Sequence, residues 1–288
     1  MRLHAGYEIA FDCAQPTPML LQVAVHPSRA ADLLTPGVIR FEPEIPVTIY
    51  QDRFENCCTR IVAPAGRLTI STEFDISDSG EPDPVAPDAI QHAVEDLPHE
   101  MLVYLLGSRY CETDRLSDTA WSLFGGIAPG WTRVQAICDF VHDRIKFNYA
   151  DARETRTAWE GYQERIGVCR DYAHLAVALC RCMNIPARYC TGYLGDIGLP
   201  PPYSPGDFSA WFEAYLGGQW YTFDARHNFP RIGRILMARG RDATDCAIST
   251  SFGRAILAGF TVMTDEVDEG EDLPLTASGS VVAAELRP

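Results

Sequence analysis

The sequence of 288 residues contains almost no lysine: Lys146 is the only one, and arginine supplies the rest of the 24 basic residues. The 39 acidic residues exceed them and give a formal net charge of −15. A negative field of this size repels phosphate backbones and anionic lipid headgroups. The charge balance therefore argues against a protein that binds nucleic acid or a membrane surface.

Long hydrophobic runs are missing as well. No stretch of about 18 apolar residues is present, which is the length that a transmembrane helix needs. Residues 1–6 also lack the order of a secretory leader, in which charged residues precede an apolar segment. These observations predict a cytoplasmic protein without a membrane span.

The ten cysteines show none of the paired CxxC spacings that structural zinc sites use. The two close spacings, Cys57-Cys58 and Cys180-x-Cys182, have no matching second pair. Ten cysteines in a chain of this length are also too few for a disulfide scaffold. We therefore expect no metal ion and no cofactor, and we expect reduced, mostly buried thiols with one exception described below.

The length predicts about two domains. Short runs rich in β-branched residues, separated by turn-forming residues, predict a small antiparallel β-sandwich over residues 1–90. A proline-rich acidic connector at residues 79–88 marks the boundary. Helical patterns follow it, so we place a second domain at residues 91–262 and an acidic C-terminal tail at residues 263–288.

The most informative helix is predicted from Cys169 to Met183. Alanine and leucine are abundant in it, and Asn184 and Pro186 end it. Cys169 therefore lies in the first turn, where the partial positive charge and unpaired N–H groups of a helix favour thiolate over thiol. The same N–H groups can hold an oxyanion. Cys169 is thus a candidate nucleophile, and the alternative is a small residue packed beneath the helix.

A β-hairpin is predicted around Gly217-Gly218, with Leu216 opposite Gln219. Counting outward places Trp211 opposite Asp224, and alternation puts Ser209 on the same face as both. An ordinary antiparallel pair with an aromatic core explains this pattern equally well.

Taken together, four segments resemble the core of the transglutaminase-like superfamily, and more narrowly the bacterial transglutaminase-like cysteine proteases with a β-rich N-terminal domain. The segments are Gly167-Val168-Cys169-Arg170-Asp171-Tyr172-Ala173, Ile185-Pro186-Ala187-Arg188-Tyr189, Ser209-Ala210-Trp211-Phe212-Glu213 and Trp220-Tyr221-Thr222-Phe223-Asp224.

The resemblance implies an α+β fold, a papain-like core in which the cysteine-bearing helix packs on an antiparallel sheet, preceded by the small β-sandwich. It also implies a Cys-His-Asp triad in which Cys169 is the nucleophile and Asp224 the orienting carboxylate. The histidine of the family falls at Ser209, whose hydroxyl has no useful basicity near neutral pH.

His227 is the candidate replacement for that base, provided that the chain turns after Asp224. The alternative is a structural histidine that supports the loop. His142 is expected at the surface, and His174 is about 140° around the helix from Cys169. Asp207, Ser209 and Trp211 are candidate substrate-binding residues.

Two functions remain open. The first is an enzyme that attacks a peptide or protein amide through a Cys169 thioester, with oxyanion contacts from the Cys169 and Arg170 N–H groups; water as acceptor gives hydrolysis and an amine gives acyl transfer. The second is a catalytically impaired member of the fold that binds a peptide or protein.

Overall fold

A computed structural model describes residues 1–201, 203 and 206–267, and within them the chain forms an α+β fold. The first four-stranded sheet contains, in spatial order, β14 (Ala255–Val267), β1 (Arg2–Cys13), β6 (Gly66–Ser77) and β3 (Arg40–Glu42). The second contains β13 (Ser249–Ser251), β2 (Thr17–Leu21), β5 (Cys57–Ala63) and β4 (Thr48–Gln51).

The third four-stranded sheet contains β11 (Gln219–Phe223), β10 (Phe208–Leu216), β9 (Ala187–Tyr193) and β12 (Ile235–Gly240). Two short strands, β7 (Lys146–Phe147) and β8 (Ile166–Gly167), pair in parallel. The α-helices are α1 (Thr113–Phe124), α2 (Trp131–Arg144), α3 (Ala158–Glu164) and α4 (Cys169–Cys182). Within the described ranges, no helix is both long enough and apolar enough to cross a bilayer.

The β-rich N-terminal region is confirmed, but later parts of the chain complete it. β14 pairs with β1 along its whole length, and β13 pairs with β2. The boundary predicted at 262/263 falls inside β14, since residues 263–267 continue that strand. Those five residues are thus held by backbone pairing to β1, and the rest of the predicted tail lies outside the described residues.

One hydrophobic core joins the β-rich region to the third sheet. Tyr193 at the end of β9 is fully buried and contacts Phe74 of β6 and Phe208 of β10 edge to face, with ring centroids 5.6 and 5.1 Å apart. Leu3 of β1 and Ile235 of β12 belong to the same cluster. Because aromatic packing of this kind stabilises beyond the area it buries, the two regions are held firmly against each other.

Helix α4 is the centre of the second core. Every residue from Asp171 to Cys182 is buried, and the helix packs on β9 and β10 and against α1, α2 and α3. Phe212 of β10 is fully buried against it. The fold thus confirms a cysteine-bearing helix on an antiparallel sheet.

Gly167, two residues before α4, is required for the close approach of a side chain. A Cβ at this position would lie 2.6 Å from Oδ2 of Asp171 and 2.7 Å from its Cβ. We expect Gly167→Ala to lower the free energy of unfolding by about 1–3 kcal/mol, as overpacking does elsewhere. Urea denaturation measures this change.

Gly126→Ala is the matched control, because a Cβ at Gly126 would have no neighbour within 4 Å. We expect it to change stability by less than about 0.5 kcal/mol. Equal effects of the two substitutions would contradict the steric role of Gly167.

Candidate active site

Cys169 is the first residue of α4, where the sequence places it. Eight of the ten cysteines are buried, and Cys169 and Cys57 are the two that are partly exposed. The turn before the helix is fixed by Asp171, whose Oδ2 accepts hydrogen bonds from the Val168 N–H at 2.9 Å and from the Arg156 guanidinium at 3.0 Å. Cys169 thus starts the helix from a fixed turn and is half-buried.

The Cys169 thiol is not pre-ionised, which corrects the expectation drawn from the helix terminus. Burial raises its pKa to about 11, and the nearby Asp207 and Asp224 carboxylates act in the same direction. The Arg226 guanidinium and a hydrogen bond from the Ala210 backbone lower it, but by less. Because loss of solvation outweighs the Arg226 charge and the Ala210 hydrogen bond, the sulfur carries its proton at neutral pH.

The β10–β11 hairpin has the predicted register. Leu216 pairs with Gln219, and the ladder runs to Phe212 and Phe223. Asp224 is the next residue after Phe223, and its predicted pairing with Trp211 lies one position beyond the observed ladder. Gly217 and Gly218 form the turn with φ values of 58° and 91°, a region that favours glycine.

The chain turns directly after Asp224, as the assignment of His227 requires. The Asn228 N–H donates to the Asp224 carbonyl at 2.7 Å, which closes one helical turn. His227 Nδ1 lies 2.8 Å from Asp224 Oδ2, and Oδ1 accepts from the backbone N–H groups of Arg226 and His227. A carboxylate only accepts, so Nδ1 carries the proton and Nε2 is left as a base.

Asp224 is held in its ionised form. Burial raises its pKa, but the Arg234 guanidinium and the bond from His227 outweigh burial and keep the pKa well below its usual range. Arg234 Nη2 donates to Oδ2 at 3.0 Å. The pair therefore has the geometry by which a carboxylate orients a basic imidazole.

Helix α2 supports this turn in a way that the sequence did not reveal. His142 Nδ1 binds the carbonyl oxygens of Ala225 at 3.2 Å and Arg226 at 2.9 Å. Asn228 Nδ2 donates to Asp139 Oδ1 at 2.8 Å. His142 is exposed, as expected, but its ring is a contact of the turn. In the sequence, the position of His142 off the apolar face of α2 was the available signal that its ring is free to contact another segment.

A cavity of about 410 Å³ opens beside the turn. Its wall includes Ser209, His227 and Asp207. Burial raises the pKa of Asp207, which also forms a hydrogen bond with Tyr149. The Ser209 Oγ is buried and, in the described part of the chain, has no hydrogen-bond partner. Trp211 lies beneath the Arg234 guanidinium, 5.0 Å from it, and away from the cavity wall.

The structure thus brings Cys169, Asp224 and His227 to one end of the third sheet. The Cys169 sulfur contacts the backbone of Ala210, the residue after Ser209, and Ser209 and His227 share a cavity. Among the described residues, no hydrogen bond joins the Cys169 thiol to an imidazole. Cys169 itself is not among the residues that line this cavity.

Comparisons with known proteins identify a similar family model and a similar fold. Residues 119–225 match the family model of the transglutaminase-like superfamily. The crystal structure of a putative cysteine protease from Cytophaga hutchinsonii superimposes with a TM-score of 0.79 at 29% sequence identity, covering 94% of this chain and 92% of that one.

A curated relative matches a shorter segment. An uncharacterized protein of Mycobacterium leprae is 37% identical over 84 residues. The match spans 28% of this chain and 30% of the length of that protein.

Proposed function

Because its residues 119–225 belong to the transglutaminase-like superfamily, we propose that this protein is a thiol-dependent hydrolase or acyl transferase of peptide or protein amides, with Cys169, His227 and Asp224 as its catalytic residues. The observation that carries the proposal is the 2.8 Å contact between His227 Nδ1 and Asp224 Oδ2. It supplies the oriented base that Ser209 cannot provide. The name of the Cytophaga protein supports the same class.

The first step is attack of the Cys169 sulfur on the substrate carbonyl carbon. His227 Nε2 takes the thiol proton as the S–C bond forms, and the backbone N–H groups of Cys169 and Arg170 hold the oxyanion. The imidazolium returns the proton to the departing amine when the C–N bond breaks, which leaves a thioester. Water then releases the acid, or a second amine takes the acyl group.

The pKa of Cys169, raised to about 11, gives the base a specific task. A neutral thiol is a poor nucleophile, so proton removal has to accompany attack. The positive charge that develops on His227 is stabilised by the ionised Asp224.

The wall of the cavity supports its assignment as the substrate site. Its volume of about 410 Å³ falls in the range of small-molecule and peptide-side-chain pockets. Asp207 and Ser209 lie on the wall beside the proposed base, whereas Trp211 acts beneath Arg234. We therefore keep Asp207 and Ser209 as substrate contacts and assign Trp211 to support of the carboxylate.

The cytoplasm is the proposed location. All ten cysteines are free thiols, including the adjacent pair Cys57 and Cys58. Reducing compartments preserve thiols of this kind.

A second candidate, a binding module without catalysis, is favoured by two observations. Ser209 stands where the family has its histidine, and the pKa of the Cys169 thiol is raised to about 11. A protein of this kind holds a peptide in the cavity and forms no thioester.

Acylation by p-nitrophenyl acetate separates the two functions without a known substrate. We expect acetyl transfer to the peptide that contains Cys169, read by peptide mass spectrometry at pH 7, and its loss in Cys169→Ser. Cys57 is the internal control, because it is the other partly exposed cysteine. Acetylation of Cys169 no faster than that of Cys57 would reject the enzyme and favour the binding module.

A further inference from the structure

The connector between the β-rich region and the second core contacts Arg234, which in turn binds Asp224. Asp83 lies in this connector, and its carboxylate accepts hydrogen bonds from Arg234 Nε at 2.9 and 3.1 Å. The backbone of Asp83 is itself fixed, because its N–H donates to the Arg231 carbonyl at 2.9 Å, and the Arg231 N–H donates to Asp83 Oδ2 at 2.9 Å. The connector is thus fastened to the segment before β12.

Arg234 forms the other half of this contact. Its guanidinium is buried, packs over the Trp211 ring at 5.0 Å, and directs Nη2 to Asp224 Oδ2 at 3.0 Å. The oxygen that accepts from Arg234 is the same oxygen that accepts from His227. Arg234 and His227 therefore share one carboxylate oxygen, and Asp83 binds the Nε of the same guanidinium.

On the basis of the proposed function, we propose that Asp83 and Arg234 are positioning residues for His227. Asp83 fixes Arg234, and Arg234 fixes the Asp224 carboxylate that orients the imidazole and limits how strongly the ring holds a proton. Neither residue touches substrate in this assignment.

The sign of each effect follows from the charges. Arg234 is positive and close to the imidazole, so its removal stabilises the imidazolium. Asp83 is negative and partly neutralises Arg234, so its removal leaves more positive charge near the ring and destabilises the imidazolium. Two substitutions in one ion pair are thus expected to act in opposite directions on His227.

Other charged and titratable groups surround the turn, and all of them stay unchanged in this comparison. They are Asp139 and His142 on α2, Cys169 on α4, Asp207 before β10, and Arg226 and Arg231 in the turn segment. Differences between variants therefore report the pair that was altered.

The test is an NMR titration of the His227 ring in the full chain, with His227→Gln used to assign its resonance. We expect the pH midpoint of the ring to rise by about 1 unit in Arg234→Gln and to fall by about half a unit in Asp83→Asn. Arg234→Lys keeps the charge and is expected to stay closer to the wild type. Shifts of the same sign in Arg234→Gln and Asp83→Asn, or no shift in either, would overturn the inference.

The double variant Asp83→Asn with Arg234→Gln guards against a folding defect in Arg234→Gln, which leaves Asp83 unpaired. It replaces the ion pair by two amides of similar shape and is expected to have a midpoint between those of the single variants. A double variant with the same midpoint as Asp83→Asn would also reject the role of Arg234. Acylation of Cys169 is scored separately, so that opposite shifts without acylation reject the proposed enzyme and keep the electrostatic inference.

Discussion

Replacing His227 by glutamine is expected to slow acylation of Cys169 by p-nitrophenyl acetate about 10²–10⁴-fold at pH 7. The pKa of the Cys169 thiol is raised to about 11, so only about one molecule in 10⁴ carries a thiolate at pH 7 without help from a base. His227 Nε2 supplies that help in the wild type. Stopped-flow measurement of p-nitrophenolate release gives both rates.

The pH dependence of this variant distinguishes loss of the base from loss of structure. In His227→Gln the residual rate depends on free thiolate alone, so it should rise tenfold per pH unit between pH 6 and about 9. The wild-type rate should rise less steeply in this range because the base removes the proton. His99→Gln is the control, since His99 is exposed and outside the site. A wild-type rate in His227→Gln at pH 7 would exclude His227 as the base.

A rescue variant gives a sharper form of the same test. Ser209 precedes Ala210, whose backbone contacts the Cys169 sulfur, and Ser209 faces the cavity that His227 also lines. Adding Ser209→His to His227→Gln places an imidazole on β10 at the residue before Ala210, on the wall of the cavity that His227 lines. We expect it to recover at least about tenfold of the lost rate. Recovery by Ser209→Asn in the same background would show that the imidazole is not responsible.

Local patterns in the sequence were sufficient for the elements that carry the site. The alanine- and leucine-rich run gave α4 its start at Cys169, and the Gly217-Gly218 turn fixed the register that brings Asp224 to the end of β11. Both depend on residues that are close in sequence. The contact between His227 and Asp224 also follows from local geometry, because the two residues are three positions apart across one turn.

The rest depends on residues that are far apart in sequence. β14 pairs with β1 and completes the first sheet from the other end of the chain, and no local pattern identifies that partner. The alternation of Leu3, Ala5, Tyr7 and Ile9 in β1, whose side chains are all buried, is a local signal for this strand but not for its partner.

Burial of Cys169 also depends on residues that are far from it in sequence. The helix terminus is visible in the sequence, and by itself it predicts a lowered pKa. The chain segments that remove water from the sulfur belong to other elements, and they reverse the sign. The contact of Asp83 with Arg234 could not be predicted from the sequence either. A proline-rich acidic connector predicts a spacer and gives no indication of a buried partner.

Acid is expected to destabilise the protein through two buried neutral histidines. His174 on α4 and His26 are both fully buried. Burial lowers the pKa of His26 to about 4 and holds that of His174 well below its usual value, where Arg170 and Arg181 add to the effect and Asp242 opposes it. His174 Nε2 accepts from the Ala243 N–H at 3.1 Å, so protonation also breaks a hydrogen bond.

The sign follows from linkage. The unfolded chain binds protons at these histidines below pH about 6.5, whereas the folded chain does not until the pH falls further. The contribution of each histidine to the free energy of unfolding is therefore fully present above that pH. It is lost as the pH falls, by up to about 1.4 kcal/mol per pH unit for each histidine. Lowered carboxylate pKa values, such as that of Asp224, act mainly below pH about 4.

Urea denaturation between pH 6.5 and 4.5 measures this slope. His174→Gln keeps an acceptor for the Ala243 N–H but cannot be protonated, so it should remove about half of the slope even though loss of the ring lowers stability at every pH. His99→Gln is the control and should keep the wild-type slope. A full wild-type slope in His174→Gln would contradict this prediction. It would mean that His174 of the wild type is protonated in the folded state, where its Nε2 could not accept from the Ala243 N–H.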